Sequence, residues 1–208
     1  MHLLFRVLVF RVLACTAVLG IGACDQSAPA PTNSTTAADS PASTPPAAAF
    51  VDDELEQLKT VTLVDACALL TTEKLASVFP GLTFEVHQEL KPQMSGYLWD
   101  SRCTYWAGVG TYEYAKDAPT LTVELFAGTA VSETKAKNNL ASRHELAKTS
   151  TGYQPQPALG DNAYATTNTG VAWLFFVKGQ SEVQITFSDL DTPNEEKVAK
   201  AVSLSQSL

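Results

Sequence analysis

The residues with the chemistry to react, ligate or cross-link are few: four cysteines, three histidines and a scatter of carboxylates. Cys67 and Cys103 could pair as a disulfide or remain as two thiols. Glu85, His87 and Glu89 are spaced by two, so on a strand they would share one face and could hold a divalent ion. Plain alternation on a solvated sheet face produces the same pattern, and no metal site is assigned to it. His144-Glu145 lacks the second histidine four residues on that a helical zinc site needs. No G-x-S-x-G nucleophile turn is present. Gly108-Val-Gly110 lacks the third glycine and the following helix of a dinucleotide loop, and reads as a turn. No catalytic residue, metal or cofactor is assigned, and the chain is expected not to be an enzyme. The aromatics Trp99, Trp106, Tyr112 and Tyr114, with Tyr105 and Trp173, are candidates for a stacking surface toward sugar or peptide, although aromatics also supply much of a small domain's core.

The remaining two cysteines sit near the N-terminus. Residues 1 to 23 carry Arg6 and Arg11 and are otherwise almost wholly apolar or small. The apolar stretch from Val12 to Ala23 is about 12 residues, and a helix needs roughly 20 to cross hydrocarbon. A positive n-region, a short apolar h-region and small residues before a cut describe a secretory signal. Ile21-Gly22-Ala23-Cys24 resembles the lipobox of bacterial lipoproteins, which implies cleavage before Cys24 and acylation of its thiol. Cys15 follows Val12-Leu13-Ala14, but a cut there would leave an h-region interrupted by both arginines. An uncleaved anchor would hold Arg6 and Arg11 in a membrane span at up to about 3 kcal/mol each. The expected location is the cell envelope, lipid-anchored to the inner membrane and facing the periplasm. Asp25 after the acylated Cys resembles the inner-membrane retention signal of enteric-type lipoproteins. The outer membrane and the extracytoplasmic face of the cell membrane are the alternatives.

From Asp25 to about Ala49 the chain is mainly Ala, Pro, Ser and Thr, with no Ile, Leu, Val, Phe, Tyr or Trp. It cannot bury enough apolar surface to offset its ordering entropy, and its prolines stiffen it. Residues 24 to 50 are read as a lipidated cysteine and disordered tether, and Asn33-Ser34-Thr35 as a chance glycosylation pattern. Residues 51 to 208 are long enough for one domain with a core of its own. Loss of residues 1 to 23 would leave 12 basic against 22 acidic residues. With no Lys or Arg block, nucleic acid is excluded as a partner, and so is electrostatic adhesion to anionic lipid. In an exported domain Cys67 and Cys103 are predicted to bridge. That closes a loop of about 37 residues, worth roughly 4 kcal/mol.

The elements follow from periodicity. Asp65 can cap a turn over Ala66 to Leu70, and Thr71 or Thr72 starts a helix buried through Leu75, Val78 and Phe79, stopped by Pro80-Gly81. Residues 82 to 90 alternate, with Leu82, Phe84 and Val86 predicted to face inward. Cys103 to Val109 and Thr120 to Phe126 read as strands. Ser132 to Lys148 is a polar helix with a thin stripe of Ala136, Leu140 and Ala147. Ala163 to Thr166, Val171 to Lys178 and Glu182 to Phe187 read as three antiparallel strands joined by Asn168-Thr-Gly170 and Lys178-Gly179-Gln180. Thr192, Pro193 and Glu195 predict a capping box on the last helix. The class is α+β, an antiparallel sheet sandwiched by helices in the order α-βββ-α-βββ-α, with one disulfide.

Three short patterns carry a resemblance: Cys67-Ala-Leu-Leu-Thr-Thr-Glu73, Cys103-Thr-Tyr105 and Ala158-Leu-Gly-Asp-Asn-Ala163. Together they resemble a broad family of uncharacterised bacterial lipoprotein domains, abundant in actinobacteria, over about residues 60 to 205. Where that family carries C-x-W, this chain has Tyr105 with Trp106 adjacent. The resemblance implies a disulfide between Cys67 and Cys103, a sandwich similar to PsbP-like domains, and no catalytic residues. The expected function is a non-catalytic envelope lipoprotein domain that binds a protein, glycan or small ligand. An envelope hydrolase and a spacer without a specific ligand are the alternatives.

Overall fold

The computed structural model describes residues 47–108 and 121–208, and side chains from Asp53 onward within them. The expectations for Cys24, Tyr112, Tyr114, the leader and most of the tether lie outside the described residues.

Helix α1 spans Ala47–Leu58 and begins inside the last residues of the segment read as tether. Two short helices follow, α2 (Ala66–Leu69) and α3 (Thr72–Val78). Asp65 starts α2 as an N-cap, its carboxylate accepting from the amides of Cys67 and Ala68. Thr71 caps α3 through the Lys74 amide. Three strands come next: β1 (Phe84–Ser95), β2 (Leu98–Ala107) and β3 (Leu121–Thr129). Helix α4 (Glu133–Ala147) is capped by Ser132. The two-residue β4 (Gln154–Pro155) precedes β5 (Tyr164–Asn168), β6 (Val171–Lys178) and β7 (Ser181–Ser188), and α5 (Asn194–Ser207) closes the chain.

Among the described residues, seven strands join one antiparallel sheet in the order β1-β2-β3-β7-β6-β5-β4. The class is therefore α+β, as the sequence predicts. One sheet face carries the main core: Tyr105, Val123, Leu125, Leu174, Phe176, Ile185 and Phe187 pack with Leu70 and Leu75 of the N-terminal helices and with Val198, Ala201 and Leu204 of α5. Over the other face, α4 packs on β6 and β7, where Leu140 and Ala147 meet Tyr164, Phe175 and Val177. Helices thus cover both faces, the second only in part.

Three local expectations are corrected. Val86 is half exposed and Leu82 exposed, so β1 does not present a continuous apolar face. The register against β2 slips between Val86 and Gln88, with His87 as the extra residue, and again between Leu90 and Gln93. A bulge of this kind breaks the alternation that a period-2 reading assumes. The strands β1 and β2 also extend beyond the predicted 82 to 90 and Cys103 to Val109, toward a hairpin turn at Gly96, whose φ is 61°. Finally, the capping box on α5 does not form. Pro193 occupies the cap position without a side-chain hydrogen bond, and Thr192 donates its hydroxyl to Asp189 instead.

Candidate functional site

The disulfide links Cys67 of α2 to Cys103 of β2, with Cα atoms 5.0 Å apart. Cys103 is fully buried, so the bridge pins α2 to the sheet within the core. Beside it, Ser101 accepts from the Ala66 amide and donates to the Val64 carbonyl. Tyr105 donates its hydroxyl to Leu70 O. Burial, aided by the charges of Asp65, Glu89 and Glu73, pushes the Tyr105 phenol up to about 12, so it stays a neutral donor. The third motif is a turn: Pro157–Leu159 forms a single 3-10 turn, and the Ala163 amide returns to Gly160 O at the entry to β5. Gly160 has φ 123°, a conformation that favours glycine. Each of the three sequence patterns thus has a scaffold role.

The bulge at His87 also separates the Glu85-His87-Glu89 set. Glu85 pairs with Trp106, while Glu89 pairs with Cys103 on the opposite face. His87 stacks on Trp106, ring centroids 3.3 Å apart. Glu89 instead lies near Asp65 and Cys67, which together resemble a metal-ligand set. The Cys67 sulfur is committed to the disulfide, and the Lys91 ammonium sits 2.9 Å from Asp65 and 2.5 Å from Glu89. The group is thus an ion triad. Hydrogen bonding from Lys91, joined by the α2 amides, holds the Asp65 carboxyl below the usual range against the effect of burial. Glu89, then Asp65, raise the Lys91 ammonium to about 12.

On the α4 side, His144 is buried, its Nε2 2.6 Å from Tyr153 Oη, stacked with Tyr164. Neither His87 nor His144 pairs with a serine, threonine or cysteine among the described residues, so no nucleophile–base couple is assembled there. Glu182, 3% exposed, is met by Arg143 from α4. Burial raises its carboxyl above the ordinary value, with Asn139 and Arg143 opposing.

The aromatics named from sequence do not share one surface. Trp99 and Trp106 lie an odd number of residues apart on β2, whose pairing with β3 is unbroken, so they face opposite sides. Trp99 donates Nε1–H to Leu58 O at 2.8 Å and holds the end of α1. Trp106 lies on the side that α4 covers only in part. Two cross-strand rows run over that side. One is Thr166–Trp173–Thr186–Glu124–Thr104, and the other Asn168–Val171–Ser188–Thr122–Trp106. The first combines three hydroxyls, one carboxylate and an indole, and the second two hydroxyls, one amide, a valine and an indole. Trp173 also lines a cavity of about 570 Å³ with the turn after α4 and the end of β5. The sequence offers Trp173 as one of six candidate aromatics, and what sets it apart is a cavity assembled from a turn and two strands.

An antiparallel, disulfide-linked α+β domain with a partly open polar sheet face is what these elements define. Among solved structures, the chain is similar to the extracellular domain of PknH from Mycobacterium tuberculosis, with a TM-score of 0.50 at 10% identity over 71% of this chain and 97% of that domain. At that identity the likeness is one of fold. No family model and no curated protein sequence matches the chain.

Proposed function

We propose that this protein is a non-catalytic binding domain displayed outside the cytosol and held to the bacterial membrane by lipid on Cys24, as in the lipoprotein family its motifs resemble. The observation that carries the reading is the buried Cys67–Cys103 disulfide, since such bridges persist in oxidising compartments. The N-terminal segment supplies the route: a short apolar leader, then Ile21-Gly22-Ala23-Cys24. A single acyl chain gives marginal, reversible membrane binding, so two or more are needed for a stable anchor. Among the described residues no helix is long and apolar enough to cross a membrane. Asp25 favours the inner membrane as the site of attachment.

The test is an intact-mass measurement of the protein purified from membranes, together with fractionation of Cys24→Ala. The expected mass is that of a chain starting at Cys24 and carrying acyl groups, and Cys24→Ala should move to the soluble fraction. A full-length chain with an unmodified thiol at residue 24, or a variant that still pellets with membranes, would overturn the proposal.

A further inference from the structure

We infer that the cavity between the turn after α4 and the end of β5 is a binding groove for a neutral saccharide, which gives the binding domain proposed above its ligand class. The cavity, about 570 Å³, has the volume of a small-molecule site. Its lining is unusual in having no charged side chain and only one large apolar group, the Trp173 indole. Among the described residues, the hydroxyls of Ser150, Thr151 and Thr166 and the Trp173 Nε1–H make no hydrogen bond within the protein, whereas Thr149 donates to Leu146 O and Asn168 Oδ1 accepts from the Thr169 amide; Thr167 is buried and alternates to the other face of β5.

This composition selects by elimination. An anion would find no cation, and a cation no carboxylate. A lipid or other wholly apolar ligand would strand the hydroxyls without partners. A hydroxyl both donates and accepts and turns to suit, so three free ones beside an indole match a molecule that is itself rich in hydroxyls and has one apolar face. A pyranose ring has both properties. The acidic balance of the chain disfavours an anionic glycan further.

The groove is also held in shape. Gly152, at φ 72°, lies so close to β5 that a Cβ there would fall 2.2 Å from Thr167 Oγ1 and 2.5 Å from Thr167 O. Only glycine lets the Thr149-Ser-Thr turn close on the strand this tightly. Thr166 and Trp173 face each other across β5 and β6, so the far wall is fixed by sheet register.

Calorimetric titration of the full-length protein with the tetramer of N-acetylglucosamine and with maltotetraose tests the assignment, with tetragalacturonate and tetra-alanine as charged and peptide probes. A saturable heat with at least one neutral tetramer is expected, weakened about tenfold or more in both Thr166→Val and Trp173→Ala and unchanged in Leu146→Ala on exposed α4. Thr166→Val is nearly isosteric, so it keeps the test decisive if Trp173→Ala fails to fold. Absence of saturable heat with both neutral tetramers, a response confined to tetragalacturonate or tetra-alanine, or equal affinity in Thr166→Val overturns the inference. Saccharide binding by a chain whose Cys24 proves unmodified would sink the anchor and leave the groove standing, whereas an acylated chain that binds neither neutral tetramer sinks the groove alone.

Discussion

The Tyr105 hydroxyl and the Leu70 carbonyl are bonded in the core, joining the C-terminal part of β2 to the C-cap of α2. Both residues are almost fully buried. Tyr105→Phe keeps the ring and strands that carbonyl. A buried acceptor left without a donor costs about 1–3 kcal/mol, so the variant is expected to unfold at lower denaturant with an unchanged m-value. Equal midpoints for the two proteins would show that water or another donor takes over.

The disulfide lies one turn of α2 from that bond. Cys67→Ser should destabilise by roughly 4 kcal/mol, the chain-entropy value for a loop of this length. The measurement is chemical denaturation of parent and variant with and without reductant. Reductant should bring the parent toward the variant and leave the variant unmoved. A parent insensitive to reductant while unfolded would contradict the bridge.

Asp65 makes stability depend on acid. Its carboxyl titrates below the usual value in the folded protein, first because Lys91 hydrogen-bonds it. The folded state therefore binds this proton less readily than the unfolded chain, whose Asp titrates near about 3.9. The contribution is fully present above that value and is lost as pH falls through the lower folded value. Asp65→Asn retains a capping side chain and removes the titration. Its melting point should lie below the parent's at neutral pH and converge with it in acid, and a gap constant from pH 7 to pH 2.5 would refute the assignment. Glu182 has the opposite sign, since burial raises its carboxyl. Its contribution is present in acid and is lost as pH rises through the folded value.

Gly152→Ala forces a side chain into a left-handed backbone and against Thr167. The backbone part alone is about 1–2 kcal/mol. The variant should melt lower and show faster amide exchange in the turn at residues 149–152. Protection equal to the parent's would mean that the turn does not depend on this contact.

What sequence could reveal tracks how local each cause is. The strands β5 to β7 lie between turn residues, so their positions are readable, as is the Asp65 cap; Thr71 is one of the two residues expected to start α3, and Ser132, read as the first residue of α4, is its cap. The thin stripe of Ala136, Leu140 and Ala147 placed α4 correctly but missed His144, which reads as polar and is buried because Tyr153 and Tyr164 enclose it. The inward face of β1 was misread because a bulge is set by the partner strand and leaves no periodic trace. Thr192 was misread because Asp189, three residues earlier, claims its hydroxyl. Trp99 and Trp106 could have been assigned to opposite faces from their odd spacing, had β2 been recognised back to Leu98. The saccharide groove had no linear signature, since Ser150 and Thr151 read as ordinary turn residues until β5 is placed beside them.

The seam between β3 and β7 pairs Thr122 with Ser188 and Thr129 with Ser181, so the middle of the sheet joins segments far apart along the chain. Such non-local pairing slows folding. While a nascent chain emerges from its N-terminus, β1 to β3 can assemble early, but β3 then presents a bare row of amides and carbonyls until the last strand arrives. An unpaired edge of that kind recruits other chains, so the interval before β7 docks is when the young protein most needs a chaperone, and any truncation before Ser181 would make that vulnerability permanent.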